Sequence, residues 1–291
     1  MDSIEVPSKT VAGIYVPVLF NDKFVADAVR FRPWDDNLVV ATYPKCGTTW
    51  MQCIVCNLLY RDTFAEDGQM SSFLQLCPYI ESFGTESLKP DSFYKIHLPF
   101  NAETFNPKTK YIVVLRNPRD VCVSYYHFYT NMYPGVPGLP KGFNWFPKFV
   151  EMFVSGRCWY GDYFEHVRGW LEDPCGPDGQ KPDNILYVVY EKMKLDPQGE
   201  LLRVANFIGG PAAELVKDKA VIEDILNRTT VESMKTKVNT AVADAVRNKF
   251  KVDGYVPDQL ELVRKGQVRI NTVRLIYNSL GTVAHTQSIQ H

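Results

Sequence analysis

The 291-residue sequence contains no apolar run near the roughly 20 residues that a membrane-spanning helix needs. Its N-terminal segment holds no basic region followed by an apolar core, so we expect no secretory signal and a cytoplasmic protein. The sequence has no large excess of positive or negative charge, because its 32 Lys and Arg residues nearly balance its 33 Asp and Glu residues. A net charge of −1 gives no general surface for nucleic acid or for an anionic membrane. Any anion-binding site must therefore be local.

The patterns of a disulfide framework and of a zinc site are both incomplete. The seven cysteines are odd in number and mostly lie among apolar residues, which favours reduced thiols over disulfides. Cys53 and Cys56 form a C-x-x-C pair, but they fall inside a predicted helix. No second cysteine pair or nearby His completes a zinc set, and no acidic cluster indicates another metal. We therefore interpret these cysteines as packing residues and expect no metal.

Short apolar, β-branched segments alternate with helical patterns along the chain. Without an internal repeat or an obvious linker, this alternation predicts one α/β domain over residues 1–291, with a mainly parallel central β-sheet flanked by helices. The predicted strands are 38–41, 93–99, 111–115 and 185–190, and the predicted helices are 50–59, 121–129, 148–172, 198–208 and 212–226. Residues 1–36 give no firm pattern. The stretch 131–147 is long and rich in Pro and Gly, so we interpret it as a lid or a pocket wall.

The segment 43–50, YPKCGTTW, lies between the first predicted strand and the first predicted helix. Backbone N–H groups at a helix start have no internal partner, and the helix dipole favours an anion there. Lys45 adds a positive charge, Thr48 and Thr49 add hydroxyl donors, and Gly47 lets the backbone approach a ligand closely. The Walker A motif has Lys after its second Gly, whereas Lys45 precedes the only Gly here. We interpret the segment as a phosphate-binding loop of another kind, with an ordinary strand-to-helix turn as the alternative.

Polar residues mark the carboxyl ends of the four predicted strands. They are Lys45 after the first strand, Lys95 and His97 at the second, Arg116 at the third and Tyr190 at the fourth. Ligands of open parallel sheets bind beyond these strand ends, so we expect these side chains to surround one site. Each also has a structural alternative: a hydrogen-bonding role for His97, a carboxylate partner for Arg116 and a core position for Tyr190.

Segment 43–50 resembles the 5′-phosphosulfate loop of the cytosolic sulfotransferases, usually written TYPK-S/C-GTTW, with Cys46 at its variable position. Further segments resemble motifs of the same family in the same order: K-I-H-L-P at 95–99, R-N-P-R-D-V-C-V-S-Y-Y-H-F at 116–128, Y-V-V-Y-E at 187–191, T-T-V-E-S-M at 229–234 and R-K-G at 264–266. The resemblance covers most of the chain. It implies transfer of a sulfuryl group from PAPS (3′-phosphoadenosine 5′-phosphosulfate, with PAP as product) to a hydroxyl or an amine.

The resemblance also implies roles for individual residues. His97 is the general base on the acceptor, and Lys45 stabilises charge at the bridging oxygen of the donor. Lys95 contacts a sulfuryl oxygen, and Ser124 binds the 3′-phosphate and restrains Lys45 until transfer begins. The implied donor-binding residues are Lys45, Cys46, Gly47, Thr48, Thr49, Trp50, Arg116, Ser124, Tyr190, Thr229, Thr230, Met234, Arg264, Lys265 and Gly266. The implied reaction requires no metal.

The acceptor is expected to be a small molecule, with a phenol or another flat aromatic compound favoured. The candidate pocket residues are Tyr79, Phe83, Lys95, His97, Phe128, Trp145 and Phe146. Their aromatic rings suit a flat ligand, although several of them fit core packing equally well. Two other functions stay open: a P-loop nucleotide kinase, and a protein that binds PAP or PAPS without catalysis.

The chain departs from the family pattern in its last part. Val231 replaces a Phe of the adenine motif, and the Gly-Asp-Trp-Lys that follows R-K-G in the family is missing from the divergent tail 267–291. Only Thr272 and Val273 remain of the family's dimer motif K-x-x-x-T-V-x-x-x-E. We therefore expect a monomer or a weak homodimer, without nucleic-acid or membrane partners.

Overall fold

A central sheet of parallel strands with helices on both faces forms the framework of the protein. The computed structural model describes residues 6–62, 75–132, 145–176 and 179–235. In chain order these residues form β1 (Ser8–Val11), β2 (Ile14–Pro17), α1 (Asp22–Arg30), β3 (Leu38–Thr42), α2 (Thr48–Leu59), α3 (Ile80–Phe83), β4 (Phe93–Ile96), β5 (Lys110–Leu115), α4 (Pro118–Met132), α5 (Phe146–Val154), α6 (Tyr163–Glu172), β6 (Ile185–Val189), α7 (Tyr190–Leu195), α8 (Pro197–Ile208), α9 (Gly210–Leu215) and α10 (Lys219–Arg228).

The main sheet has the strand order β4-β3-β5-β6, and its neighbours pair in parallel. β3 lies between two partners, so that Val40 pairs with Lys95 on one side and with Ile112 on the other. All residues of β3 are buried, as expected for a strand that is covered on both faces. The carboxyl ends of β3, β4 and β5 therefore meet at one edge of the sheet. The predicted α/β class with a mainly parallel sheet is confirmed.

The sheet separates two hydrophobic cores, because successive strand residues point to opposite faces. One core contains Val39 of β3 and is rich in aromatic residues, among them Tyr125 and Trp159. The other core contains Val40 and the buried face of α2. Cys53 lies in this second core, where burial raises the pKa of its thiol to about 12. An unreactive packing role follows for this cysteine.

A hairpin and a helix occupy the N-terminal segment for which no pattern was predicted. β1 and β2 pair antiparallel around Ala12 and Gly13, whose φ angles are +48° and +81°. α1 starts after Asn21, whose side-chain oxygen accepts a hydrogen bond from the Lys23 backbone N–H at 2.9 Å. The sequence does not predict this hairpin because its strands are short and its Ala-Gly turn lacks the usual Asn-Gly or Asp-Gly signal.

Two segments that were each predicted as one helix form two helices in the structure. The segment 148–172 contains α5 and α6, separated by residues 155–162. Gly156, Tyr160 and Gly161 in this connection have φ angles of +67°, +67° and +75°, which a right-handed helix cannot accommodate. The segment 212–226 likewise divides into α9 and α10, and the Asp218 side chain caps α10 by accepting a hydrogen bond from the Ala220 backbone N–H at 2.9 Å.

Other predicted bounds change by a few residues. The predicted strand 93–99 ends at Ile96, and Tyr190 is the first residue of α7 rather than the last of a strand. Most of the proposed lid segment 131–147, together with the divergent tail 267–291, lies outside the described residues. Within the described ranges, no helix has both the length and the apolar character that a bilayer crossing demands.

Candidate active site

The turn from β3 into α2 forms an open helix N-terminus at the carboxyl edge of the sheet. Gly47 precedes the first residue of α2 and has a φ angle of +107°, which favours glycine. A Cβ atom at this position would lie 2.6 Å from Cδ2 of Tyr190, closer than packed carbon atoms approach. α2 has no side-chain cap and no acidic residue in its first turn. Its first backbone N–H groups are therefore suited to an anion.

Two cations border this turn. The Lys45 ammonium lies 4.6 Å from the centroid of the Phe128 ring. Nη1 of Arg116 donates a hydrogen bond to the Lys45 carbonyl at 2.8 Å, and its guanidinium carbon lies 4.2 Å from the centroid of the Tyr190 ring. Nε of Arg116 is buried and has no hydrogen-bond partner among the described residues. The structure thus brings Lys45, Arg116 and Tyr190 together, as the sequence predicts.

Trp50 and Tyr190 form an aromatic corner beside the same turn, with ring centroids 5.4 Å apart in an edge-on arrangement. Nε1 of Trp50 is also buried without a hydrogen-bond partner in the described part of the chain. Glu191, which follows Tyr190 in the chain, is fully buried. It accepts a hydrogen bond from the Asn117 backbone N–H at 3.0 Å, which holds the backbone just after β5 in place. Two buried N–H donors near two cations fit a polyanionic ligand that carries a flat ring.

Cys46, at the variable position of the turn, is fully buried. Burial raises the pKa of its thiol far above the usual range, so it stays protonated at neutral pH. The thiol therefore contributes packing, and any contact of this residue with a ligand has to come from its backbone.

His97 lies directly after β4 and contacts the end of β3. Its Nδ1 atom is 2.8 Å from the Thr42 carbonyl oxygen. A carbonyl only accepts hydrogen bonds, so Nδ1 carries the proton and Nε2 is left as a proton acceptor. Burial lowers the pKa of His97 well below its usual value, and the positive charge of Lys95 adds to the effect. The imidazole is therefore neutral at pH 7, with Nε2 in the form that accepts a proton.

A pair of hydroxyl groups connects His97 with the turn before α2. Oγ1 of Thr42 is 2.6 Å from Oγ1 of Thr48 and 3.2 Å from Nδ1 of His97. Thr42 is the last residue of β3 and was not among the predicted site residues. Its position at the end of β3, directly before the turn 43–50, is the signal that could have found it.

Lys95 and two tyrosines complete the surroundings of His97. The Lys95 ammonium lies 4.1 Å from the centroid of the Tyr79 ring. The hydroxyl groups of Tyr79 and Tyr160 are hydrogen-bonded, and both rings are edge-on to His97, at centroid distances of 5.1 and 5.4 Å. Tyr160 was not predicted, because nothing in the sequence shows that its backbone adopts a φ angle of +67°.

The other predicted pocket residues lie in different environments. Trp145 is 3% exposed and packs in the core, with its ring centroid 5.2 Å from that of Tyr126. Phe146 also packs on Tyr126, at 5.0 Å, and Phe83 lies on the surface at the end of α3. Of the predicted aromatic walls, Tyr79 has ring contacts with Lys95 and His97, and Phe128 has a ring contact with Lys45.

Of the remaining predicted donor residues, the structure describes four and leaves three outside the described residues. Ser124 is half-buried on α4. Thr229 donates its hydroxyl to the Ile225 carbonyl at 2.8 Å and Thr230 donates to the Asn227 carbonyl at 3.1 Å, whereas Met234 is buried in the aliphatic core. Arg264, Lys265 and Gly266 lie outside the described residues. The described part of the chain contains no group of three or more His, Cys, Asp or Glu side chains arranged to hold a metal ion.

Comparison with known proteins identifies the family of the chain. Residues 35–269 match the family model of the sulfotransferase domain. The chain is 32% identical over 282 residues to sulfotransferase 1A1 of Bos taurus, with 88% of each protein covered. It is 32% identical over 228 residues to sulfotransferase 1E1 of Cavia porcellus, with 74% of this chain and 70% of the relative covered.

Two solved structures share the fold. Mouse sulfotransferase SULT7A1 in complex with PAP matches with a TM-score of 0.63 at 21% identity, covering 98% of this chain and 96% of the other. A retinol dehydratase in complex with androsterone and PAP matches with a TM-score of 0.63 at 20% identity, covering 96% and 88%.

Proposed function

The chain belongs to the sulfotransferase family and is a PAPS-dependent enzyme, and from this premise we propose that it sulfonates a small phenolic or other aromatic acceptor with His97 as the general base. Transfer of a sulfuryl group to hydroxyl acceptors is the reaction of the family. An amine is the second acceptor group that the same base can serve. This premise leaves no place for the nucleotide-kinase alternative.

The observation that carries the role of His97 is its hydrogen bond to the Thr42 carbonyl, which holds the ring with Nε2 as the acceptor. A neutral, buried imidazole beside Lys95 takes up the acceptor's proton at Nε2 as the oxygen attacks. Tyr79 and Tyr160 pack edge-on against the ring and restrict its rotation. Lys95, on the same side, supports negative charge on the sulfuryl oxygens.

The donor-side residues fit PAPS. PAPS supplies the sulfuryl group and a phosphate leaving group when bound. The backbone N–H groups of 47–49 and the Lys45 ammonium are suited to hold the 5′-phosphate end and stabilise its charge. Arg116 and Ser124 are suited to the 3′-phosphate, since Nε of Arg116 is a buried donor that still lacks a partner among the described residues. Trp50 and Tyr190 are suited to the nucleotide ring.

The wider donor assignment follows the family motifs. It includes Cys46, Thr48, Thr49, Thr229, Thr230 and Met234, together with Arg264, Lys265 and Gly266. We assign the reaction to the cytoplasm. We also propose that it needs no metal, because His97 and the two lysines supply the base and the positive charge that the chemistry requires.

The test is transfer from radiolabelled PAPS to a panel of phenols, catecholamines, sterols and alcohols. We expect the highest kcat/KM with phenols and no loss of activity with a chelator. A protein that binds PAP but transfers to no member of the panel would support the non-catalytic alternative. Thermal-shift measurements with PAPS and ATP provide a matched control, because the proposed site should be stabilised by PAPS only.

We further propose that the protein is a monomer or a dimer that dissociates at micromolar concentration. The support is the loss of all but Thr272 and Val273 from the family's short dimer motif, since a small symmetric contact has few residues to lose. Light scattering over a dilution series tests this. A dimer mass that persists at nanomolar concentration would mean that another surface joins the subunits.

A further inference from the structure

Glu81 is a buried carboxylate beside the proposed base, and the mechanism above gives it no part. It lies in α3 and is 0% exposed. Its Oε1 atom accepts a hydrogen bond from the His97 backbone N–H at 2.6 Å. Its Oε2 atom is buried and has no hydrogen-bond partner among the described residues. The backbone N–H groups of Leu98 and of Glu81 itself also favour the charged form of this carboxylate. Burying a carboxylate is nevertheless destabilising, so its retention indicates a role beyond these backbone contacts.

Lys95 is the cation that complements this carboxylate. It lies two residues before His97 and is held over the Tyr79 ring. Burial lowers the pKa of Lys95, and the negative charge of Glu81 opposes that shift. Among the described residues, Glu81 is the charge that raises the pKa of Lys95 most against the effect of burial. Burial also raises the pKa of Glu81 to about 7, against the positive charge of Lys95. Above that pH Glu81 is a carboxylate and favours the ammonium form of Lys95 inside the site.

The other titratable groups that face this pair are neutral at pH 7. They are Cys77, Tyr79, Tyr94 and Tyr160, whose pKa values burial raises, and His97 and His166, whose pKa values burial lowers. Lys45 acts on His97 from the turn before α2. The protonation of Lys95 is therefore governed by Glu81 and by burial, with no other charged carboxylate among the groups that face the pair.

We propose that Glu81 is a positioning residue for sulfuryl transfer, which fixes the main chain at His97 and keeps Lys95 charged in the desolvated site. The proposal rests on the function proposed above for His97 and Lys95. It assigns the carboxylate two tasks: Oε1 holds the backbone of His97, and the negative charge of the group favours the ammonium form of Lys95. Both tasks act through another residue, so Glu81 itself does not contact the reacting atoms.

The test uses Glu81→Gln, because Gln keeps an oxygen acceptor for the His97 N–H and removes the charge. We expect the alkaline limb of the kcat profile to move to lower pH by about one unit, which lowers kcat about tenfold on the alkaline side. The affinity for PAP, measured by calorimetry, should stay unchanged. Glu86→Gln is the matched control: Glu86 is exposed and pairs with Lys23, so both readouts should equal those of the wild type.

A second measurement is independent of turnover. Reductive methylation with isotopically labelled methyl groups allows the Lys95 amine to be titrated by NMR in the free enzyme. Its pKa should lie below that of the other lysines, and Glu81→Gln should lower it further. An unchanged Lys95 titration and an unchanged alkaline limb in a folded Glu81→Gln variant would overturn the proposal and leave Glu81 a structural residue.

Lys95→Arg keeps the test decisive if Glu81→Gln fails to fold. Arg remains protonated at every accessible pH, so the alkaline limb should disappear from this variant. Its persistence would overturn the proposal. Failure of the proposed function is distinguishable from these outcomes, because it would appear as a wild-type protein that transfers no sulfuryl group although Lys95 still titrates as described.

Discussion

On the donor side of the site, the polar groups are backbone N–H groups and cations at the sheet edge, in the turn 43–50 and at Arg116. On the acceptor side they are buried side chains that titrate: His97, Lys95 and Glu81. The donor side is prepared for a ligand that brings its own negative charge. In the proposed mechanism the acceptor side changes its protonation during the reaction, and burial shifts the pKa values of its side chains. Substitutions on the two sides should therefore alter different measured quantities.

The largest difference between the effects on kcat and on PAP affinity is expected from His97→Ala. Removing the base should lower kcat about a thousandfold, because general-base catalysis contributes between a hundredfold and ten-thousandfold. PAP affinity should stay at the wild-type value, since His97 is not among the residues proposed to bind PAP, which lie in the turn 43–50, after β5 and on other helices. Single-turnover kinetics and calorimetry measure the two quantities. If the variant kept more than a few per cent of wild-type kcat at saturating acceptor, His97 would not be the base.

The reverse pattern is expected from Gly47→Ala. The added Cβ would lie 2.6 Å from Tyr190, and the φ angle of +107° is strained for any other residue, so the turn must shift. We expect PAP affinity to fall about a hundredfold, from the loss of about 3 kcal/mol of binding free energy. The matched control is Gly13→Ala, with a φ angle of +81° and no atom within 4 Å of the new Cβ. Equal PAP affinity in both variants would contradict the close approach to Tyr190.

A smaller effect on the donor side is expected from Arg116→Lys. Lys keeps the charge but loses the planar fork that bonds the Lys45 carbonyl and stacks on Tyr190. PAP affinity should fall about tenfold, whereas AMP, which lacks the 3′-phosphate, should bind equally to both proteins. The wild type should likewise bind PAPS more tightly than APS. Arg119→Lys, at an exposed position of α4, is the control, and equal losses for PAP and AMP would refute the assignment of Arg116 to the 3′-phosphate.

The smallest effect at neutral pH concerns His166, which bonds the His97 carbonyl through Nε2 at 3.0 Å. Burial lowers the pKa of His166 from 6.5 to about 4, so the unfolded state binds more protons between these values. The contribution of neutral His166 to the free energy of unfolding is therefore fully present above pH 6.5. It is lost, by about 3 kcal/mol in total, as the pH decreases through about 4. Denaturant unfolding at several pH values should show a shallower loss for His166→Gln, and an unchanged slope would refute the shift.

The sequence predicts the donor side better than the acceptor side for a physical reason. Lys45, Gly47 and the start of α2 lie in one contiguous segment, so local rules for strands, turns and helix starts suffice to predict their arrangement. Glu81 meets His97 only through tertiary packing. Tyr160 reaches the site because its backbone adopts a positive φ angle, which is rare for an aromatic residue and divides the predicted helix 148–172. Neither contact has a local signature.

The position of β3 between β4 and β5 has a consequence for folding. Val40 pairs with Lys95 and with Ile112, partners that lie far apart along the chain. Parallel pairing over such separations closes large loops and is slow compared with helix formation. With only the β3–β5 pairing formed, the proposed phosphate-binding turn lacks His97, and with only the β3–β4 pairing formed it lacks Arg116. Recovery of transferase activity after dilution from denaturant should therefore trail the recovery of helical circular dichroism and report the completed sheet.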